Sequence, residues 1–212
     1  MNLITNPTEI ENLSFKIISE QLAGRQFDRQ NINVIKRVIH TTADFDFADN
    51  LTFSEGAGTI ANKLLKKGAK IVTDTQMVKA GINKKAAAQL GCDIHCFIDA
   101  PQVDALAQAS GFTRAWTAVD HAAQTLENPI IFIVGNAPTA LMRLHELITG
   151  QVFLPAFIIA VPVGFVNVVE SKELILGLDI PHIIAKGRKG GSNVAAAICN
   201  ALLYEATGRT TT

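Results

Sequence analysis

Ile130-Ile131-Phe132-Ile133-Val134-Gly135-Asn136-Ala137-Pro138-Thr139 runs from an unbroken apolar stretch into a loop of glycine, proline and small polar residues. The apolar part lacks polar alternation, as a strand covered on both faces should. From Lys70 onward the same order of strand, loop and helix repeats. Candidate strands are Lys70–Thr73, Asp93–Ile98, Ile130–Val134, Ala156–Val161 and His182–Ala185. Helical stretches of about ten residues or more lie between them, the length a parallel crossover needs. The pattern predicts a three-layer α/β/α fold with a doubly wound, mainly parallel five-stranded sheet, close to flavodoxin-like.

Ahead of the repeat, the chain reads as helical. Asn6-Pro7-Thr8-Glu9 combines an N-cap, a proline at the first helical position and a capping-box glutamate. Ile10, Leu13, Phe15, Ile17, Ile18 and Leu22 then supply an apolar stripe, and Gly24 stops the helix. A second helix is expected from near Asp28, with Ile32, Ile35, Val38 and Ile39 buried. A third is expected from near Ser54 to Gly68. No linker or short repeat divides the chain, so residues 1–212 read as a single domain, with Thr210–Thr212 a frayed tail.

Composition narrows the function classes. Of 212 residues 48% are apolar, enough for one large core, while 19 basic and 19 acidic side chains cancel. That balance leaves no electrostatic footprint for nucleic acid and no basic tail for a membrane surface. Met1–Thr8 has neither the basic nor the apolar region of a secretory signal. The longest apolar stretch, Phe153–Val169, is interrupted by Pro155, Pro162, Gly164 and Asn167 and falls short of a membrane span. Three cysteines do not suggest a disulfide framework, and a reducing cytoplasm is the expected home.

In open parallel sheets, ligands bind beyond the carboxyl ends of the strands. The loops expected there are Asp74–Met77, Asp99–Pro101, Gly135–Thr139, Pro162–Phe165 and Gly187–Asn193. In the last, glycines flank Arg188 and Lys189 directly before a helix expected at Ser192, a place that would attract an anion. It would equally serve as a plain strand-to-helix turn. The glycine spacing is not that of a Walker A loop.

Arg37 and His40 lie three residues apart near the end of the second helix, opposite its apolar stripe. They would point together toward solvent or a ligand. A helix C-terminus would raise the imidazole's pKa and suit it to act as an acid. Asp44 and Asp46 would orient the ring or cap helices. Arg114 stands at an expected helix N-terminus, an unfavourable place for a cation unless an anion accompanies it. Asp74 would accept a hydrogen bond from a ligand or, more in keeping with its position, cap the next helix. Cys92, His95 and Cys96 superficially resemble metal ligands, but on a strand His95 and Cys96 face opposite sides, so no metal site is expected. Gly-x-Ser-x-Gly and Gly-x-Gly-x-x-Gly patterns in the right context are missing.

Several segments in series resemble the precorrin-8X methylmutase family. They are Val38-Ile39-His40-Thr41-Thr42-Ala43-Asp44-Phe45-Asp46; Asp74-Thr75-Gln76-Met77-Val78 with Gly81; Thr113-Arg114; Gly135-Asn136-Ala137-Pro138-Thr139-Ala140-Leu141; Pro162-Val163-Gly164-Phe165-Val166; Glu170-Ser171-Lys172; and Gly187-Arg188-Lys189-Gly190-Gly191-Ser192. The resemblance implies an isomerase of cobalamin (porphyrin-type) biosynthesis that moves a methyl group of precorrin-8X or cobalt-precorrin-8 from carbon 11 to carbon 12. The product would be hydrogenobyrinate or cobyrinate. It implies no cofactor and a homodimer with a shared active site. It implies His40 as the proton donor and acceptor. Ser14, Arg37, Asp74, Thr75, Met77, Thr113, Arg114, Asn136 and Arg188 would be the substrate-binding set. Ala43 departs from the glycine many relatives carry, and Trp116 stands where small residues are common. Two other readings stay open: a non-catalytic tetrapyrrole carrier, and a flavodoxin-like phosphate or nucleotide binder using Gly187–Ser192.

Overall fold

A computed structural model of the chain describes residues 3–28 and 30–209. The expected tail Thr210–Thr212 lies outside them. The first elements are α1 (Pro7–Gln21), α2 (Ile32–Thr42), α3 (Phe47–Asn50), β1 (Leu51–Phe53), α4 (Ala57–Lys66), β2 (Lys70–Thr73), α5 (Gln76–Gly81), α6 (Lys84–Gln89) and β3 (Ile94–His95). The rest are α7 (Pro101–Ser110), α8 (Arg114–Thr125), β4 (Ile130–Val134), α9 (Pro138–Thr149), β5 (Phe157–Ala160), α10 (Val168–Leu176), β6 (His182–Ala185) and α11 (Ser192–Ala206).

Among the described residues the sheet has six strands in the order β1-β6-β5-β4-β2-β3, one more than expected. The addition is β1, which pairs antiparallel with β6, Leu51 opposite Ala185 and Phe53 opposite Ile183. Three residues are too few to show a period. The other five pair in parallel, and without β1 their order, counted along the chain, is the flavodoxin-like 2-1-3-4-5. Residues 70–73, 130–134 and 182–185 form strands with the expected bounds. β3 keeps only Ile94 and His95 of its expected six residues.

Alternate strand residues feed two cores, as a strand's two-residue period requires. Ile71, Ile131, Ile133, Phe157, Ile159 and Ile183 pack under α2, α4 and α11. Val72, Ile130, Phe132, Val134, Ile158 and Ile184 pack under α8, α9 and α10. α11 is apolar nearly all round and is buried between the sheet and α2, α4 and α5.

The N-terminal half of the expectation is corrected in detail. Asn6 caps α1, its side-chain oxygen accepting from the Thr8 and Glu9 N–H groups. Only Phe15, Ile18 and Leu22 of the α1 stripe are buried; Ile10, Leu13 and Ile17 stay exposed, at 43%, 40% and 44%. α2 begins at Ile32 rather than Asp28, whose carbonyl instead closes a turn to the Asn31 and Ile32 N–H groups. α4 begins at Ala57, behind Gly56 in the left-handed conformation.

Candidate active site

Residues placed at the strand carboxyl ends gather where the strand order reverses, between β2 and β4, the point at which such sheets bind ligands. The chain itself closes this crevice. Asp74, 3% exposed, accepts N–H hydrogen bonds from Gly135 (3.0 Å), Asn136 (2.7 Å) and Ala137 (2.8 Å). Burial pushes its pKa up, against the three donors that favour the carboxylate. Asp74 therefore does not cap α5; it braces the loop that carries Asn136. The N-cap of α5 is Thr75, which accepts from Val78 N–H at 3.2 Å and touches the Ser192 hydroxyl at 3.2 Å. Gly135 lies beneath them, where a Cβ would strike Val78, Ala195 and Ser192.

Above this floor the polar residues turn outward. Asn136 and Met77 are exposed, Met77 at 69%. Thr113 caps α8 through Trp116 N–H and bonds the Thr139 hydroxyl at 2.8 Å. The anionic company expected for Arg114 comes from the chain: Asp99 lies 3.7 Å and Asp104 3.8 Å away. Arg188 is exposed, its guanidinium 5.8 Å from the centre of the Phe165 ring. Phe165 itself is 84% exposed.

His40 stands at the end of α2. Its ring stacks on Phe15 of α1, with centroids 5.2 Å apart and planes 16° from parallel. One edge opens on a cavity of about 280 Å³ lined by Ser14, Ile17, Ile18, Ile39, His40, Ala43 and Phe45. Ser14 donates back to the Ile10 carbonyl at 2.7 Å, which leaves its oxygen free to accept.

The expected rise in the imidazole's pKa is reversed. Desolvation lowers it, the nearby Arg37 charge lowers it further, and Glu11 opposes both. Burial and a neighbouring cation outweigh the helix terminus. Arg37 does not point with His40 into solvent. Its guanidinium lies over Phe15 (4.7 Å) and Tyr204 (5.3 Å) and donates to Glu11 at 2.8 Å. Its Nε and second terminal nitrogen are buried without a hydrogen-bond partner among the described residues. The two aromatic faces stabilise the cation in their place. Asp44 and Asp46 do not orient the ring either; both bind Lys189 at 2.6 Å.

Phe15, Glu11 and Tyr204 were not legible as site residues, because each reaches His40 or Arg37 from another element at no local spacing. Among the described residues no group of three or more His, Cys, Asp or Glu stands together as metal ligands. None of their helices is long and apolar enough to cross a membrane.

The family model described as precorrin-8X methylmutase matches residues 9–205. The chain belongs to the precorrin-8X methylmutase family. A cobalt-precorrin-8 methylmutase of Salmonella typhimurium is 45% identical, over 96% of this chain and 98% of that one. A precorrin-8X methylmutase of Pseudomonas aeruginosa is 39% identical, over 87% and 88%. The crystal structure of a precorrin-8X methylmutase from Thermus thermophilus superposes with a TM-score of 0.87 at 36% identity, covering 94% and 98%. The methylmutase fold and the flavodoxin-like α/β/α fold expected from the sequence thus describe one architecture.

Proposed function

We propose that this chain is an isomerase of cobalamin biosynthesis that shifts a methyl group of precorrin-8X, or cobalt-precorrin-8, from carbon 11 to carbon 12. The observation that carries the reading is His40: a titratable ring at the mouth of a cavity, in a chain belonging to this family. A sigmatropic shift needs neither nucleophile nor acyl acceptor. What a protein contributes is a proton near the migration terminus and a frame that holds the macrocycle still.

His40 supplies the proton. In the free protein its surroundings favour the neutral ring, so the acid form is scarce. A substrate bearing many carboxylates changes that balance, since nearby negative charge favours the imidazolium. Ser14 sits beside the ring in the same cavity, and its oxygen accepts a hydrogen bond from substrate. Thr75, Met77, Thr113, Asn136 and Arg188 complete the substrate-binding set at the strand carboxyl ends, Arg188 meeting a carboxylate arm. Arg114, half exposed between two aspartates, also has donors to spare. Arg37 and Asp74 serve from behind, the one by its charge on His40 and the other by bracing the Asn136 loop.

The site is shared between two subunits. Pockets for small ligands run to roughly 300–1,000 Å³, and the 280 Å³ at His40 lies at the low end for a flat macrocycle. The exposed Ile10, Leu13 and Ile17 face of α1 borders it and would be covered by a second copy. The odd cysteine count, which does not suggest a disulfide framework, supports a cytoplasmic setting.

The test is to incubate the purified protein with precorrin-8X and follow the visible spectrum. The wild type should move the absorption to that of the corrin product, and His40→Ala should still bind product without turning over. Stoichiometric nucleotide binding and no spectral change would refute the proposal.

A further inference from the structure

Two lysines near the loop after β6 do opposite jobs. Lys172 of α10 is 2% exposed and passes beneath that loop. Its ammonium donates to the Gly187 carbonyl at 2.8 Å and the Lys189 carbonyl at 2.9 Å. Burial pulls its pKa down to about 8. Both bonds go to the backbone on either side of Arg188, so the loop's path is set from below.

Lys189 reaches the other way. Its ammonium lies 2.6 Å from Asp44 Oδ2 and 2.6 Å from Asp46 Oδ2. The two carboxylates belong to one tight turn, in which Asp44 N–H donates to the Thr42 hydroxyl and Asp46 N–H to Asp44 Oδ1. That turn opens with Ala43, the C-cap of α2, at φ 55°. Alanine adopts this left-handed conformation reluctantly, so the turn needs something to hold it. His40 sits on the last turn of the same helix, its ring stacked on Phe15 at the cavity.

We propose that Lys172 and Lys189 are positioning residues for the proton transfer, Lys172 fixing the loop after β6 and Lys189 lashing the end of α2 to it, so that His40 is held at the cavity mouth. The proposal rests on the reading of His40 as the acid. Two of the three ammonium donors of Lys189 go to these carboxylates, although it neighbours Arg188.

Two readouts test this, and one does not depend on turnover. The first is the imidazole Cε1–H resonance of His40 in the ligand-free protein, assigned by its loss in His40→Gln. Lys189→Met, a surface change that should leave the melting curve alone, is expected to shift and broaden that resonance but not those of His121 and His145. Lys189→Arg should restore it. The second readout is kinetic. Lys189→Met should lower kcat roughly two- to fivefold, the range an exposed ion pair commands, with KM little changed. Adding Asp44→Asn and Asp46→Asn to Lys189→Met should cost nothing more, because all three groups act as one. Lys172→Met, where it folds, should move the His40 resonance in the same sense. An unmoved His40 resonance in Lys189→Met overturns the proposal, as does a raised KM at unchanged kcat. A wild type that leaves precorrin-8X unconverted would sink the isomerase reading instead, while the resonance would still decide the clamp.

Discussion

In the proposed reaction His40 gives a proton, yet the free protein works against its holding one. Partial burial and the Arg37 charge lower its pKa below the usual 6.5, and Glu11 pulls the other way. If the protonated ring is the active form, kcat/KM, which reports the free enzyme, should fall as pH rises through that lowered pKa. kcat reports the complex, where substrate carboxylates raise the pKa, so its decline should lie at higher pH. Parallel pH profiles of the two constants check this. Glu11→Gln removes a charge that favours the imidazolium and should move both declines to lower pH. His40→Ala should cost roughly 10²–10⁴ in kcat, the span of one general acid, with product affinity kept. At this scale the sequence singled out His40 as the candidate acid and misjudged the direction of its pKa shift. Three-residue spacing revealed that Arg37 and His40 belong to one helix, but not that Phe15 and Tyr204 would enclose the guanidinium.

At the scale of elements, the longer apolar runs announced themselves. Ile130–Val134 is buried throughout and could hardly be anything but a central strand. β1 gave no such sign, since Leu51-Thr52-Phe53 becomes a strand only because β6 offers an open edge. The α1 stripe was legible as apolar but not as divided, with Phe15, Ile18 and Leu22 inward and Ile10, Leu13 and Ile17 outward. One-sided patterning cannot say which of two partners will cover each half. Between β6 and α11, Gly190 has φ 159° and its α-carbon faces the Val161 and Pro162 carbonyls, where a Cβ would collide with backbone. Gly190→Ala should therefore destabilise by more than about 3 kcal/mol, read from the denaturation midpoint. Asp74→Asn should cost about 2–3 kcal/mol, because it sets an amide donor against three N–H groups.

For the whole molecule, the exposed face of α1 and the small cavity beside it make a joint prediction. If a second copy completes the site, Ile10→Glu with Leu13→Glu should yield a monomer by sedimentation, with an unaltered melting curve and at least about tenfold lower kcat/KM. A fully active monomer would show that one chain suffices. The arrangement at the switch point carries a different consequence. Flavodoxin-like sheets present free backbone donors there, and free phosphate or nucleotide would compete for them in any cell. This molecule carries its own counter-ion on a tether. Asp74 sits against those donors at an effective concentration that no dissolved anion matches. Cutting the tether, as Asp74→Ala would, should leave an empty cup in which inorganic phosphate raises the melting temperature of the variant and not of the wild type.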